Sequence, residues 1–120
     1  MKNRTYILDA NGNPTPVSDF VQWSIWMDSM NQQIALSESG DISISTAFLG
    51  LDHDHLRRGT PILFETMVCT PDGPGQVARY ATKGEAINGH NVIFLTIKAQ
   101  QEMADHVTVE TLVAIMIDKR

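Results

Sequence analysis

From Pro16 onward, Phe20, Trp23, Met27, Met30 and Ile34 recur at spacings of three and four, the signature of a helix with one buried face. Ile25 and Trp26 widen that face, which predicts a helix lying flat across a sheet with one aromatic near its rim. Thr15 before Pro16, or Ser18 before Asp19, can cap its start, and Asp19 complements the positive end of the helix dipole. A Trp and Met stripe at this spacing reads as core. Ahead of it, "TYIL" reads as a short edge strand and "DANGNPTP" as the loop that follows.

Beyond the helix the period switches to two. In "DISISTAFL", Ile42, Ile44, Thr46 and Phe48 share one side of an extended chain, with Ser43, Ser45, Ala47 and Leu49 on the other. "SGD" supplies turn residues between "IAL" and this strand, which suggests a hairpin. After the loop "DHDHLRRGTP", "ILFETMVC" is a further strand, and "TPDGPG" turns the chain so that "QVARYAT" returns antiparallel to it.

Two rules conflict at residues 84–97. "TKGE", Thr82 to Glu85, matches a capping box that starts a helix, whereas Asn88 and Gly89 followed by "VIFLTI" suit a hairpin. In "VTVETLVAIMIDKR", Val109, Leu112, Val113, Met116 and Ile117 form an apolar stripe with Thr108 as cap and Lys119 and Arg120 at the end, so a C-terminal helix is expected. Ala114 and Ile115 make it apolar enough to suggest a homo-oligomer contact through residues 107 to 117. The expected fold is α+β in one domain, 1–120: an antiparallel sheet of three to four strands packed against an N-terminal helix and C-terminal helices.

Composition narrows the function. A chain of 120 residues, 42% hydrophobic and 19% charged, has an ordinary globular composition and suffices for one core without disulfide or metal support. Cys69 is the single cysteine, which rules out an intramolecular disulfide and a cysteine-based zinc cluster. The opening twenty residues lack a signal-peptide run and nothing reaches the ~18 apolar residues of a membrane span, so a cytoplasmic location is expected. A net charge of −5 argues against sequence-independent nucleic-acid binding. From Thr5 to Leu56 there is no Lys or Arg, while Asp9, Asp19, Asp28, Glu38, Asp41, Asp52 and Asp54 all fall there. An acidic face could attract a basic partner, although a solvated acidic surface is the simpler reading.

The candidate chemistry is sparse. "DHDH" in an extended chain puts His53 and His55 on one side and Asp52 and Asp54 on the other, and His53, His55 and Glu65, or His90, could complete a metal site. No Gly-x-Ser-x-Gly elbow and no phosphate loop is present, and Cys69 reads as a small apolar residue near a strand end. Glu65 and Arg79 each interrupt an apolar strand. Paired across the "TPDGPG" turn they would meet, either as an ion pair on the solvated face or, with His90 nearby, as a polar pocket for an anionic or nucleotide-like ligand.

"YILDANGNPTP", "GDISISTAFLGLDH", "PILFETMV" and "RYATKGEAINGH", together spanning roughly residues 6 to 90, resemble in order and spacing a family of small phage and prophage proteins with no assigned activity. The matching positions are Asp52 and His53, Glu65 and Thr66, Arg79 and Tyr80, and Gly89 with His90. The resemblance favours a helix from Thr82 onward and departs at the "DHLRR" loop and at residues 91–120. It implies a genomic context, not a chemistry. Ligand-binding candidates are accordingly Arg79, Glu65, His90, Tyr80, Asp52 and His53, with no cofactor. The expected function is that of a phage or prophage accessory protein in the host cytoplasm, acting by binding a host protein or a small anionic ligand in counter-defence. The competing readings are a small metal-dependent hydrolase built on Asp52, His53, His55 and Glu65, with His90 as acid or base, and an oligomeric structural protein.

Overall fold

The computed structural model describes residues 4–54 and 59–106. Its elements run β1 (Tyr6–Leu8), β2 (Pro14–Pro16), α1 (Phe20–Ser29), β3 (Gln33–Ser39), β4 (Ile42–Phe48), β5 (Phe64–Thr70), β6 (Gly73–Tyr80) and α2 (Lys83–His106). Strands β3 to β6 form an antiparallel meander in chain order, and β1 and β2 form a separate two-stranded ribbon. The architecture is therefore α+β, as the periodicities predict.

The strand alternation decides which face is buried. Ile44, Thr46 and Phe48 are sealed on β4, and their register partners on β5 are Val68, Thr66 and Phe64. Phe48 and Phe64, with ring centroids 5.4 Å apart, join Tyr6, Leu63 and Ala86 in the core. Sealing each Phe contributes about 1.5–3 kcal/mol. Trp26 of α1 meets Phe48 edge-on at 5.9 Å, so α1, β1 and α2 all cover the same face of the sheet.

Helix α1 is shorter than the predicted stripe. Asp19 is its cap, accepting from the Val21 and Gln22 amides at 3.0 and 3.2 Å. Trp23, Trp26 and Met27 face inward, but Phe20 is 66% and Met30 50% exposed, and Ile34 belongs to β3. The Asn31 side chain accepts from the Gln33 amide at 3.0 Å, a local turn that breaks the helix before Ile34, the fifth and last position of the pattern. A second correction concerns "PTP": residues 14–16 are not loop but pair with β1, Tyr6 opposite Pro16 and Leu8 opposite Pro14. Prolines lack the donor of an interior strand and are tolerated in an edge ribbon. Asp9 closes the intervening turn by accepting from Asn11 and Asn13, both at 2.9 Å.

At residues 84–97 the helix prevails over the hairpin. Thr82 and Glu85 form the capping box, Glu85 N–H donating to Thr82 Oγ1 at 3.1 Å and the hydroxyl to the carboxylate at 2.9 Å. Ala86, His90, Ile93, Ile97 and Gln101 then face the sheet at helical spacing. Gly89 makes the crossing possible: a Cβ there would stand 2.3 Å from Tyr80 Oη, so only a bare Cα lets the helix sit on the ring. The oligomer contact expected at residues 107 to 117 lies outside the described residues, as does His55.

Candidate functional site

A row of polar side chains crosses the buried face from one edge of the sheet to the other. Ser37 on β3 lies opposite Ile44, and its Oγ is 2.9 Å from His90 Nε2 of α2. His90 Nδ1 is 2.8 Å from Thr46 Oγ1 on β4, which is 2.5 Å from Thr66 Oγ1 on β5. Thr66 is in turn 3.1 Å from Tyr80 Oη at the end of β6. One hydroxyl from each strand and one imidazole from the helix thus form a continuous chain. His90 is 2% exposed and Thr46 and Thr66 are fully sealed.

A neutral imidazole has one donor and one acceptor nitrogen, and each hydroxyl can give one hydrogen and accept another. The protons can therefore run in either direction along the chain, from Ser37 to Tyr80 or the reverse, with every buried group satisfied. Burial lowers the His90 pKa below the usual imidazole value, because charging the ring beneath α2 forfeits hydration. The neutral ring is the stable form.

Glu65 and Arg79 lie on the other side of the sheet. They are register partners, with Arg79 Nε donating to Glu65 Oε2 at 3.0 Å and the two side chains 39% and 16% exposed. Neighbouring strand residues point to opposite faces, so the inward Tyr80 sends Arg79 outward. Arg79 and His90 are thus separated by the sheet and line no common pocket. The ion-pair alternative is the one realised.

Asp52 and His53 belong to a third place. The segment after β4 runs between the start of β1 and the strand entering β5: Tyr6 N–H donates to Gly50 O at 2.8 Å, Asp52 N–H to Arg4 O at 2.8 Å, and His53 N–H to Ile62 O at 2.9 Å. Asp52 is 1% exposed, and its Oδ1 accepts from the Asp54 and Ile62 amides at 2.8 and 2.9 Å. The loop that the sequence suggests here is not a solvated one: Asp52 and Asp54 are buried, and Asp52 is satisfied by backbone. Burial and then the Asp52 carboxylate raise the Tyr6 phenol above its ordinary pKa. Gly50, at a φ of 72°, lets this segment pass under α1, where Trp23 Nε1 donates to Tyr6 O and Gly50 O at 3.1 and 3.0 Å.

His53 Nδ1 donates to Leu51 O at 2.7 Å. Among the described residues no group of three or more His, Cys, Asp and Glu side chains could hold a metal ion. Of the six ligand-binding candidates, then, His90 and Tyr80 are joined through Thr46 and Thr66, Glu65 and Arg79 meet each other, and Asp52 and His53 organise a loop. No family model, curated protein or solved structure matches the chain. Among the described residues no helix is long and apolar enough to cross a membrane.

Sequence reasoning missed Ser37, and it placed Thr46 in an inward set and Thr66 among the resemblance positions without counting either as a site residue. The available signal was a threonine in the inward set of two adjacent strands, between Ile44 and Phe48 and between Phe64 and Val68. It also missed how much apolar surface α1 leaves open: Phe20 and Val21 are each 66% exposed and Ile25 64%.

Proposed function

We propose that the chain is a phage or prophage accessory protein that acts by binding, laying the outer face of α1 over a host protein in counter-defence. The observation that carries this reading is the cluster of exposed Phe20, Val21 and Ile25 on a helix whose opposite side is anchored by Trp23 and Trp26. Large apolar side chains presented together by a rigid element mark a docking surface. Asp19 and Asp28 flank them, and no Lys or Arg occurs from Thr5 to Leu56, so the complementary partner carries an apolar groove with a basic rim. The setting is taken from the resemblance read in the sequence of residues 6–90.

The test expresses the chain in a bacterium whose defence restricts a sensitive phage and measures plating. The wild-type chain is expected to raise plating. Phe20→Asp with Ile25→Asp is expected to abolish the gain while leaving thermal unfolding nearly unchanged, since a charge placed in an apolar contact weakens binding by about tenfold or more. Protection that survives the double substitution would remove α1 from the mechanism, and a chain that protects in no restricting host would remove counter-defence.

A further inference from the structure

Helix α2 carries a second apolar stripe that the sheet does not use. At about 100° per residue, Val92, Leu95, Ala99 and Met103 fall within an arc of about 80°, on nearly the opposite side of the helix from Ala86, His90, Ile93, Ile97 and Gln101. Val92 is 64%, Leu95 60% and Met103 60% exposed, and Ala99 is exposed as well. A helix of a small domain has one apolar face for its core, and a second face at heptad-like spacing is the pattern of a helix pair.

The residues flanking the stripe select the partner. Lys98 and Glu102, both exposed, lie on one flank, and the uncharged Thr96 and Gln100 lie on the other. In an antiparallel pair of identical helices like flanks meet, so Lys98 of one copy faces Glu102 of the other, twice. In a parallel pair the charged flank would meet Thr96 and Gln100. Within one helix a Lys four residues before a Glu is the weaker order for an ion pair, and Lys98 Nζ, 6.0 Å from the Phe94 ring centroid, is held there only by a weak cation–π contact that a facing carboxylate can displace. Ala99, the smallest member of the stripe, permits close approach where the helices cross, and a crossing there brings each Lys98 within about 3 Å along the axis of its opposite Glu102.

We infer that α2 pairs with α2 of a second copy of this chain, antiparallel and two-fold, through Val92, Leu95, Ala99 and Met103, with Lys98 and Glu102 setting the direction. The seam spans about three helical turns and falls at the small end of specific interfaces, so the dimer forms in the micromolar range. It involves neither α1 nor the reading of function above.

Sedimentation equilibrium of the full chain from about 1 to 200 μM tests it. The wild type is expected to pass from monomer to dimer across that range, and Ala99→Glu to remain monomeric with unchanged helical circular dichroism and melting temperature. Lys98→Glu should weaken the dimer about tenfold by placing like charges opposite one another, and Lys98→Glu with Glu102→Lys should restore it to within about threefold. A wild-type monomer throughout, a dimer insensitive to Ala99→Glu, or a charge exchange that fails to restore association would each overturn the seam as drawn.

Discussion

On the face of the sheet beneath α2, Ser37, His90, Thr46, Thr66 and Tyr80 form a closed hydrogen-bond chain, whereas on the opposite face Glu65 and Arg79 form a pair at the solvent boundary. The two sets are only one residue apart along β5 and β6, yet their energetics differ because water competes for one and not for the other. A buried hydroxyl that loses its partner keeps its desolvation cost, and a half-buried carboxylate on the open face that loses its arginine can still draw water. Residue type alone would rank the ion pair first. Burial reverses the order.

The largest effect is expected at Thr46, which both His90 and Thr66 contact. Thr46→Val keeps the shape and removes the hydroxyl, leaving His90 Nδ1 without its partner and Thr66 with Tyr80 alone. A loss of about 2–4 kcal/mol of unfolding free energy is expected, measured by urea denaturation with an unchanged m-value. A loss below about 1 kcal/mol would mean that the buried chain is no costlier to break than a solvent-facing pair.

An intermediate effect is expected from protonation of His90. Its folded pKa is lowered while the unfolded chain titrates near 6.5, so between the two values the unfolded state binds more protons. Stability contributed by the neutral ring is complete above about pH 6.5 and declines as pH falls through that value toward the lowered folded pKa. Unfolding curves from pH 7.5 to 5 should show this decline, and His90→Gln should flatten it even though the variant starts less stable. An equal slope in the variant would assign the decline to other groups.

The four meander strands were legible in the sequence because one buried face forces strict alternation: Ile44, Thr46 and Phe48 on β4 announce it. Helix α2 was ambiguous because "VIFLTI" has a strand-like composition, and the deciding contact, Gly89 on the Tyr80 ring, joins residues from two elements. Ala86, His90, Ile93 and Ile97 nevertheless carried the helical period. Strand β2 was hidden by its prolines, whose usual meaning is a loop. The candidate site was legible in part: the sequence brought Glu65 to Arg79 by hairpin register, and this holds. It placed His90 beside them because nothing local says that Tyr80, not Arg79, turns toward the helix. Thr46 and Thr66 each stood among the inward residues of their own strands, but that they meet follows from the β4–β5 register, which no local signal in the sequence sets.

The smallest effect belongs to the open face. Glu65→Gln removes the charge but keeps a hydrogen-bond acceptor for Arg79, and with Arg79 39% and Glu65 16% exposed water screens the pair from the arginine side. The expected loss is about 0.2–1 kcal/mol, and it should shrink further in 0.5 M salt, where exposed charges are screened within a few ångströms. Arg79→Gln should cost a similar amount, and the double substitution little more than either alone, since each single change already removes the attraction. Measured beside Thr46→Val by the same urea titration, this cycle sets the ratio between the faces. If the Glu65 and Arg79 substitutions cost as much as the loss of the Thr46 hydroxyl and salt leaves that cost intact, the open face is covered by something in the assembled protein and its charges are buried.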